Sequence, residues 1–175
     1  YVPGNFRWGD VKLKNVGIRY KGNRSSRPEQ RHKRSFLIKV NEFEKGTRFL
    51  GLRRIALDNG VQFGSLFSEP IVTDILRAEG IPASRYNYAR VFLNDKFIGV
   101  YGNVERIDES FVATHFPGKK GPLYKVHMPG PGAMLNYAGD DVNEYKKAFE
   151  PKTNAADKKY DELIELFQDI ELGLK

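Results

Sequence analysis

The chain has 175 residues, 40% hydrophobic and 13% aromatic, which suits one ordinary domain with a sizeable core and argues against disorder. It carries 29 Lys and Arg against 22 Asp and Glu, and no cysteine, so disulfides, thiolate metal sites and a cysteine nucleophile are excluded. No apolar run approaches the roughly 18–20 residues of a membrane span, and no signal peptide is read at Tyr1.

In chain order, alternation predicts a strand over Val11–Lys21, a second over Ser35–Val40, and a short third over Leu50–Leu57. Leu66, Phe67, Ile71, Ile75 and Leu76 fall at helical spacing within Ser65–Ala78, with Ser65 as the expected N-cap and Gly80 with Pro82 as the stop. Tyr88–Leu93 and Phe97–Val104 flank Asn94-Asp95, a pair that favours a tight primed turn and so predicts a hairpin. Asp108–His115 reads as a short helix and Pro122–Val126 as a strand. Met128–Gly139, with Pro129, Gly130, Pro131, Gly132 and Gly139, reads as a mobile loop. A closing helix over Asp157–Leu172 presents Leu163, Ile164, Leu166, Phe167 and Ile170 on one face. No internal repeat or low-complexity tract is present. This order predicts a single α+β domain over residues 1–175 around a mainly antiparallel sheet.

The charge is not spread evenly. Arg19–Lys39 holds eight Lys and Arg against one acid, Glu29, and the rest of the chain balances at 21 against 21. One hot segment points to an anion site, whereas uniform basicity would point to diffuse attraction. Gly22-Asn23 permits a turn, Ser25 and Ser26 offer hydroxyls, and Arg24, Arg27, Arg31, Lys33 and Arg34 cluster positive charge. Arginine forks and exposed backbone N–H groups both suit phosphate. The run lacks the spacing of a Walker loop, and a solvated basic loop is the plain alternative. Lys39 shares a strand face with Ser35 and Leu37 and can reach phosphates held under the loop, unless it simply faces water.

Two carboxylates are candidate partners for such a lysine: Glu69, in the first turn of the predicted helix, and Glu105, at the end of the second hairpin strand. Glu69 is also favoured there by the helix dipole alone. His32, His115 and His127 have no ligand spacing, so no transition-metal site is expected; Asp140-Asp141 suits either a hard cation or plain solvation. Nucleic acid is the least favoured partner, since the charge sits in one loop with only Tyr20 and Phe36 nearby to stack on bases.

Several segments then fall into a familiar order. Gly17-Ile18-Arg19-Tyr20-Lys21-Gly22-Asn23-Arg24-Ser25-Ser26 resembles the Gly-x-Arg-x-(Lys/Arg)-Gly-Asn-x-Ser-Ser motif of the spore-coat CotH kinase family. Lys33-Arg34-Ser35-Phe36-Leu37-Ile38-Lys39-Val40 is similar to its Lys-Lys-(Ser/Pro)-(Phe/Tyr)-x-(Ile/Leu)-Lys-Phe strand. Ala78-Glu79-Gly80-Ile81-Pro82-Ala83, Val91–Tyr101, Glu105-Arg106-Ile107-Asp108 and Leu123-Tyr124-Lys125 follow in the family's sequence order.

The resemblance spans roughly Gly17 to Lys125. It implies an atypical protein-kinase-like fold, here its N-terminal lobe, that binds ATP with Mg²⁺ and phosphorylates Ser or Thr on coat or surface proteins outside the cell. Under it, Arg24, Ser25, Ser26, Lys33, Arg34 and Lys39 become candidate phosphate contacts, with Glu69 or Glu105 orienting the lysine. The family's later Asp motifs, among them Pro-Trp-Asp-x-Asp, are not found; the sole tryptophan is Trp8. The expectation is either the amino-terminal part of a longer kinase or a non-catalytic interaction module whose basic hairpin binds an acidic partner. No catalytic residue and no protein metal ligand is assigned.

Overall fold

The computed structural model describes residues 1–22, 33–61, 64–118, 121–126, 135–153 and 159–173. The chain divides into two compact units, Tyr1–Arg106 and Ile107–Lys175.

The first unit is rich in β-branched and aromatic residues at alternate positions, and it forms a six-stranded antiparallel sheet. Its strands are β1 (Val2–Trp8), β2 (Val11–Tyr20), β3 (Phe36–Lys39), β4 (Arg54–Asp58), β5 (Tyr86–Leu93) and β6 (Lys96–Val104). They lie in the order β1-β2-β3-β4-β6-β5. One face carries the core: Val16, Ile38, Val40, Phe49, Ile55, Leu57 and Tyr101 are buried together. The sheet curls enough that Phe6 and Leu13 at one end of the order and Val91 and Ile98 at the other pack against this same cluster. The β5–β6 turn is built as its residue types predict, with Asn94 (φ 49°) and Asp95 (φ 65°) both left-handed.

The third strand starts later than its apolar run suggests. Leu50 (φ 48°) and Gly51 (φ 81°) make a tight turn in which Phe49 and Leu52 exchange backbone hydrogen bonds, so β4 begins only at Arg54. The helix α1 (Ser68–Ala78) also starts later than expected. The Ser65 hydroxyl accepts from the Phe67 N–H, turning the chain ahead of the helix, while Pro70 is tolerated in a first turn whose N–H groups lack helical partners. Its exit is as read: Gly80 (φ 76°) donates to the Arg77 carbonyl and Ile81 to that of Leu76, the paired bonds of a Schellman cap. The apolar face assigned to it does not enter the core. No α1 residue is buried, and Ile71 and Ile75 are more than half exposed.

The second unit holds α2 (Glu109–His115), β7 (Tyr124–Val126), α3 (Val142–Ala148), β8 (Phe149–Pro151) and α4 (Tyr160–Gly173). Asp108 caps α2 by accepting from the Ser110 N–H. β7 and β8 pair antiparallel, and α3 and β8 are elements the sequence reading did not place. Tyr145, Phe149, Tyr160, Ile164 and Phe167 form the core, with the Tyr145 and Phe167 rings stacked at 5.8 Å. Leu163 and Ile170 pack on it as expected, whereas Leu166 is half exposed. Of the predicted loop, residues 135–139 carry neither helix nor strand, and 128–134 lie outside the described residues. The architecture is α+β with a mainly antiparallel sheet. Among the described residues, no helix is long and apolar enough to cross a membrane.

Candidate functional site

The basic segment leaves the sheet at the end of β2 and returns at the start of β3, where the Lys21 N–H donates to the Ser35 carbonyl at 2.8 Å. Charged side chains converge at this mouth. The Lys21 ammonium lies 2.9 Å from the Asp58 carboxylate, a pair only partly open to solvent. Asp58 closes β4, and the next residues wrap back on its other oxygen: the Gly60 N–H donates to Oδ1 at 2.9 Å. Burial alone would raise its pKa, but the Gly60, Lys21 and Ser35 donors outweigh burial and hold the carboxyl below its ordinary range.

The return arm is stitched to its neighbours through Asn59, which is almost wholly buried. Its backbone N–H donates to Ser35 Oγ at 2.9 Å, and its side-chain amide to the Lys33 carbonyl at 2.6 Å. Lys33 then extends to β6, where its ammonium donates to the Val100 carbonyl and sits 4.6 Å from the Tyr101 ring centroid. Burial lowers the Lys33 pKa, with Asp58 opposing. Arg34 lies 4.5 Å over the Tyr20 ring.

Glu69 enters from α1. Leu66, just before the helix, fills the space over Gly60, where a Cβ would come within 2.6 Å of Leu66 Cδ2; the Leu66 carbonyl also accepts from the Tyr88 hydroxyl at 3.2 Å. These contacts seat the first turn of α1 near Asp58. Burial raises the Glu69 pKa, and Asp58 adds to the rise while Lys21 opposes it. Unlike Asp58, Glu69 has no hydrogen bond or ion pair to its carboxylate among the described residues. Tyr86 lies alongside, its phenol fitted over Gly102, where a Cβ would be 2.0 Å from the hydroxyl. Burial first, then Glu69, pushes its pKa up to about 12. Such a phenol stays a neutral donor at any physiological pH.

The structure therefore gathers Lys33 and Glu69 of the residues singled out from sequence, with Arg34 next along the chain. Arg24, Ser25 and Ser26 lie outside the described residues. Lys39 is not at the mouth: four residues beyond Ser35, it stands roughly 13 Å along the strand. Its ammonium is paired at 2.6 Å with Glu42, not with Glu69 or Glu105. Glu105 is engaged elsewhere, accepting from the Arg85 backbone N–H at 2.9 Å and from its guanidinium at 2.6 Å. Sequence reasoning missed Lys21 and Asp58 as a pair. The available signal was Asp58-Asn59-Gly60 at a strand end, a run that favours side-chain-stabilised turns.

A strand, a helix carrying a first-turn carboxylate, and a hairpin match the order of motifs seen in the sequence. The family model for CotH kinase proteins matches residues 18–173. The chain belongs to the CotH kinase family. The match takes in both units, including the region after Lys125 where the motifs give out. No curated protein matches the chain.

Proposed function

We propose that this CotH-family chain binds the phosphates of ATP at the mouth between β2 and β3, as part of a Ser/Thr protein kinase acting on coat or surface proteins. The observation that carries this reading is the Lys21–Asp58 pair set beside a half-buried Glu69 that lacks a partner among the described residues. Phosphoryl transfer needs positioning and charge neutralisation, and kinases commonly supply a lysine steadied by a helix carboxylate. Lys21 is the lysine here and Glu69 the helix carboxylate. Asp58 holds the ammonium in place. Lys33 and Arg34 add positive charge on the return arm, and the sequence adds Arg24, Ser25 and Ser26 to the candidate phosphate contacts.

The donor set suits phosphate better than a protein-held metal. Among the described residues no group of three His, Cys, Asp or Glu is arranged to hold a metal ion, and both Asp58 oxygens already accept hydrogen bonds. Mg²⁺ would thus arrive with the nucleotide and neutralise phosphate charge, with Glu69 as the carboxylate at hand. Export to a coat or cell surface rests on the family association.

Calorimetric titration with Mg²⁺·ATP tests the reading. The parent chain binds, Lys21→Met loses binding, and Lys39→Ala retains it. Loss in Lys39→Ala with retention in Lys21→Met would move the phosphate site to the far end of β3. No binding by the parent chain would put the non-catalytic interaction module first.

A further inference from the structure

A second concentration of positive charge lies on the sheet itself. β2 and β3 place Gly17 opposite Lys39, and β3 and β4 place Lys39 opposite Arg54. Directly opposed residues share a face, and Arg19, two residues beyond Gly17, lies on that face too. Like charges held opposite one another across strands are destabilising. Among the described residues, Glu42 relieves them, at 2.6 Å from the Lys39 ammonium.

Gly17 makes this arrangement possible. A Cβ there would come within 2.6 Å of Glu42 Cβ and 3.1 Å of the Tyr1 ring. That ring in turn steadies two of the cations, with the Arg19 guanidinium 5.3 Å and the Lys39 ammonium 5.8 Å from its centroid. Three cations and one acid leave a strip with excess positive charge; Lys39 and Arg54 lie far along β3 and β4 from the mouth, while Arg19 is two residues from Lys21.

We propose that Arg19, Lys39 and Arg54 dock an extended acidic segment of a protein partner. The spacing favours a peptide over a point anion. Arg19 and Lys39 are diagonal neighbours, about 7–8 Å apart, and Lys39 and Arg54 stand directly opposite at about 4.5–5.5 Å. Alternate side chains of an extended peptide repeat at roughly 6.6–6.8 Å, so one acid meets Arg19 and the next acid two positions on meets the Lys39–Arg54 pair. Glu42 acts as the internal counterpart of such an acid and competes for Lys39. The strip works without nucleotide.

Fluorescence anisotropy with the full 175-residue chain tests this, using labelled Asp-Ser-Asp-Ser-Asp and its Asn counterpart. The acidic peptide binds and the Asn peptide does not. Arg19→Glu with Arg54→Glu weakens binding by about tenfold or more, in a salt-sensitive way. Glu42→Gln tightens it by removing the competing carboxylate, a gain that misfolding cannot produce. Unchanged affinity in the double reversal, equal binding of the Asn peptide, or no gain in Glu42→Gln would overturn the proposal. So would tighter binding to phosphatidylserine vesicles than to the peptide.

Discussion

Removing the Lys21 ammonium tests whether the mouth is an electrostatic unit. At the observed 2.9 Å, Coulomb's law gives about 1.4 kcal/mol in bulk water and about 6 kcal/mol at an effective dielectric of about 20. Lys21 and Asp58 are only partly buried, with side-chain exposures of 33% and 20%, so solvent screening and the cost of desolvation reduce this strongly. A net coupling of about 1–2 kcal/mol follows, between the exposed and fully buried cases. For a chain of this length, each kcal/mol moves the melting temperature by about 2–4 °C. Trp8 is the sole tryptophan, sits in β1 and packs edge-on against core Phe49, so its emission follows the first unit. Lys21→Met, Asp58→Asn and the double variant are melted in parallel at pH 7. The double variant should be more stable than the summed single losses imply, by the coupling energy. Strict additivity of the two changes, within about 0.3 kcal/mol, would refute the reasoning.

Glu69 carries the opposite pH sign to Asp58. Its folded pKa is raised, so its contribution is fully present below the unfolded carboxyl pKa and is lost as pH rises through the folded value. Glu69→Gln therefore stabilises the chain near neutral pH and flattens melting temperature against pH between the unfolded carboxyl pKa and the raised folded one. Asp58 is depressed, so its contribution holds above the unfolded pKa and fades as pH falls through the folded one; Asp58→Asn removes that acid-side loss. Gly102→Ala sets a Cβ 2.0 Å from the Tyr86 hydroxyl and is expected to cost about 1–3 kcal/mol; Tyr86→Ala, in the same background, should recover part of it in a urea titration. Asn59→Ala leaves the Lys33 carbonyl without its amide donor. A loss of about 1–3 kcal/mol is expected, read as a lower urea midpoint at constant slope.

The sheet was legible from sequence because its signals are local. Alternation marked β2 and β3 to within a residue or two, and Asn94-Asp95 marked the hairpin turn because few residue pairs adopt two left-handed conformations in succession. β1 was passed over because Pro3 and Gly4 interrupt its pattern. α1 misled in a different way: its apolar residues have helical period, but period alone does not say that a face is covered, and this one is not. The family motifs led to the correct family. Pairing was harder to read. Lys39, the strand lysine that follows the basic segment, pairs with Glu42, supplied by the next turn. Lys21 meets Asp58 only because β3 lies between β2 and β4 and aligns their ends, a register no single segment announces.

The strand order has a kinetic consequence. Every neighbouring pair in the sheet but one joins strands consecutive in the chain; the exception is β4 with β6, where Asp58 stands opposite Gly102. Hairpins form early because their loops close at small entropic expense, whereas this pairing must span α1 and all of β5. The β1–β4 meander and the β5–β6 hairpin thus meet along one seam. Asp58 and the Tyr86 socket over Gly102 lie on that seam, so the mouth is assembled by the last long-range step. A nascent chain that has not closed it already sets Lys21 beside Asp58 but lacks the β5–β6 side of the mouth, including the Val100 carbonyl that Lys33 reaches.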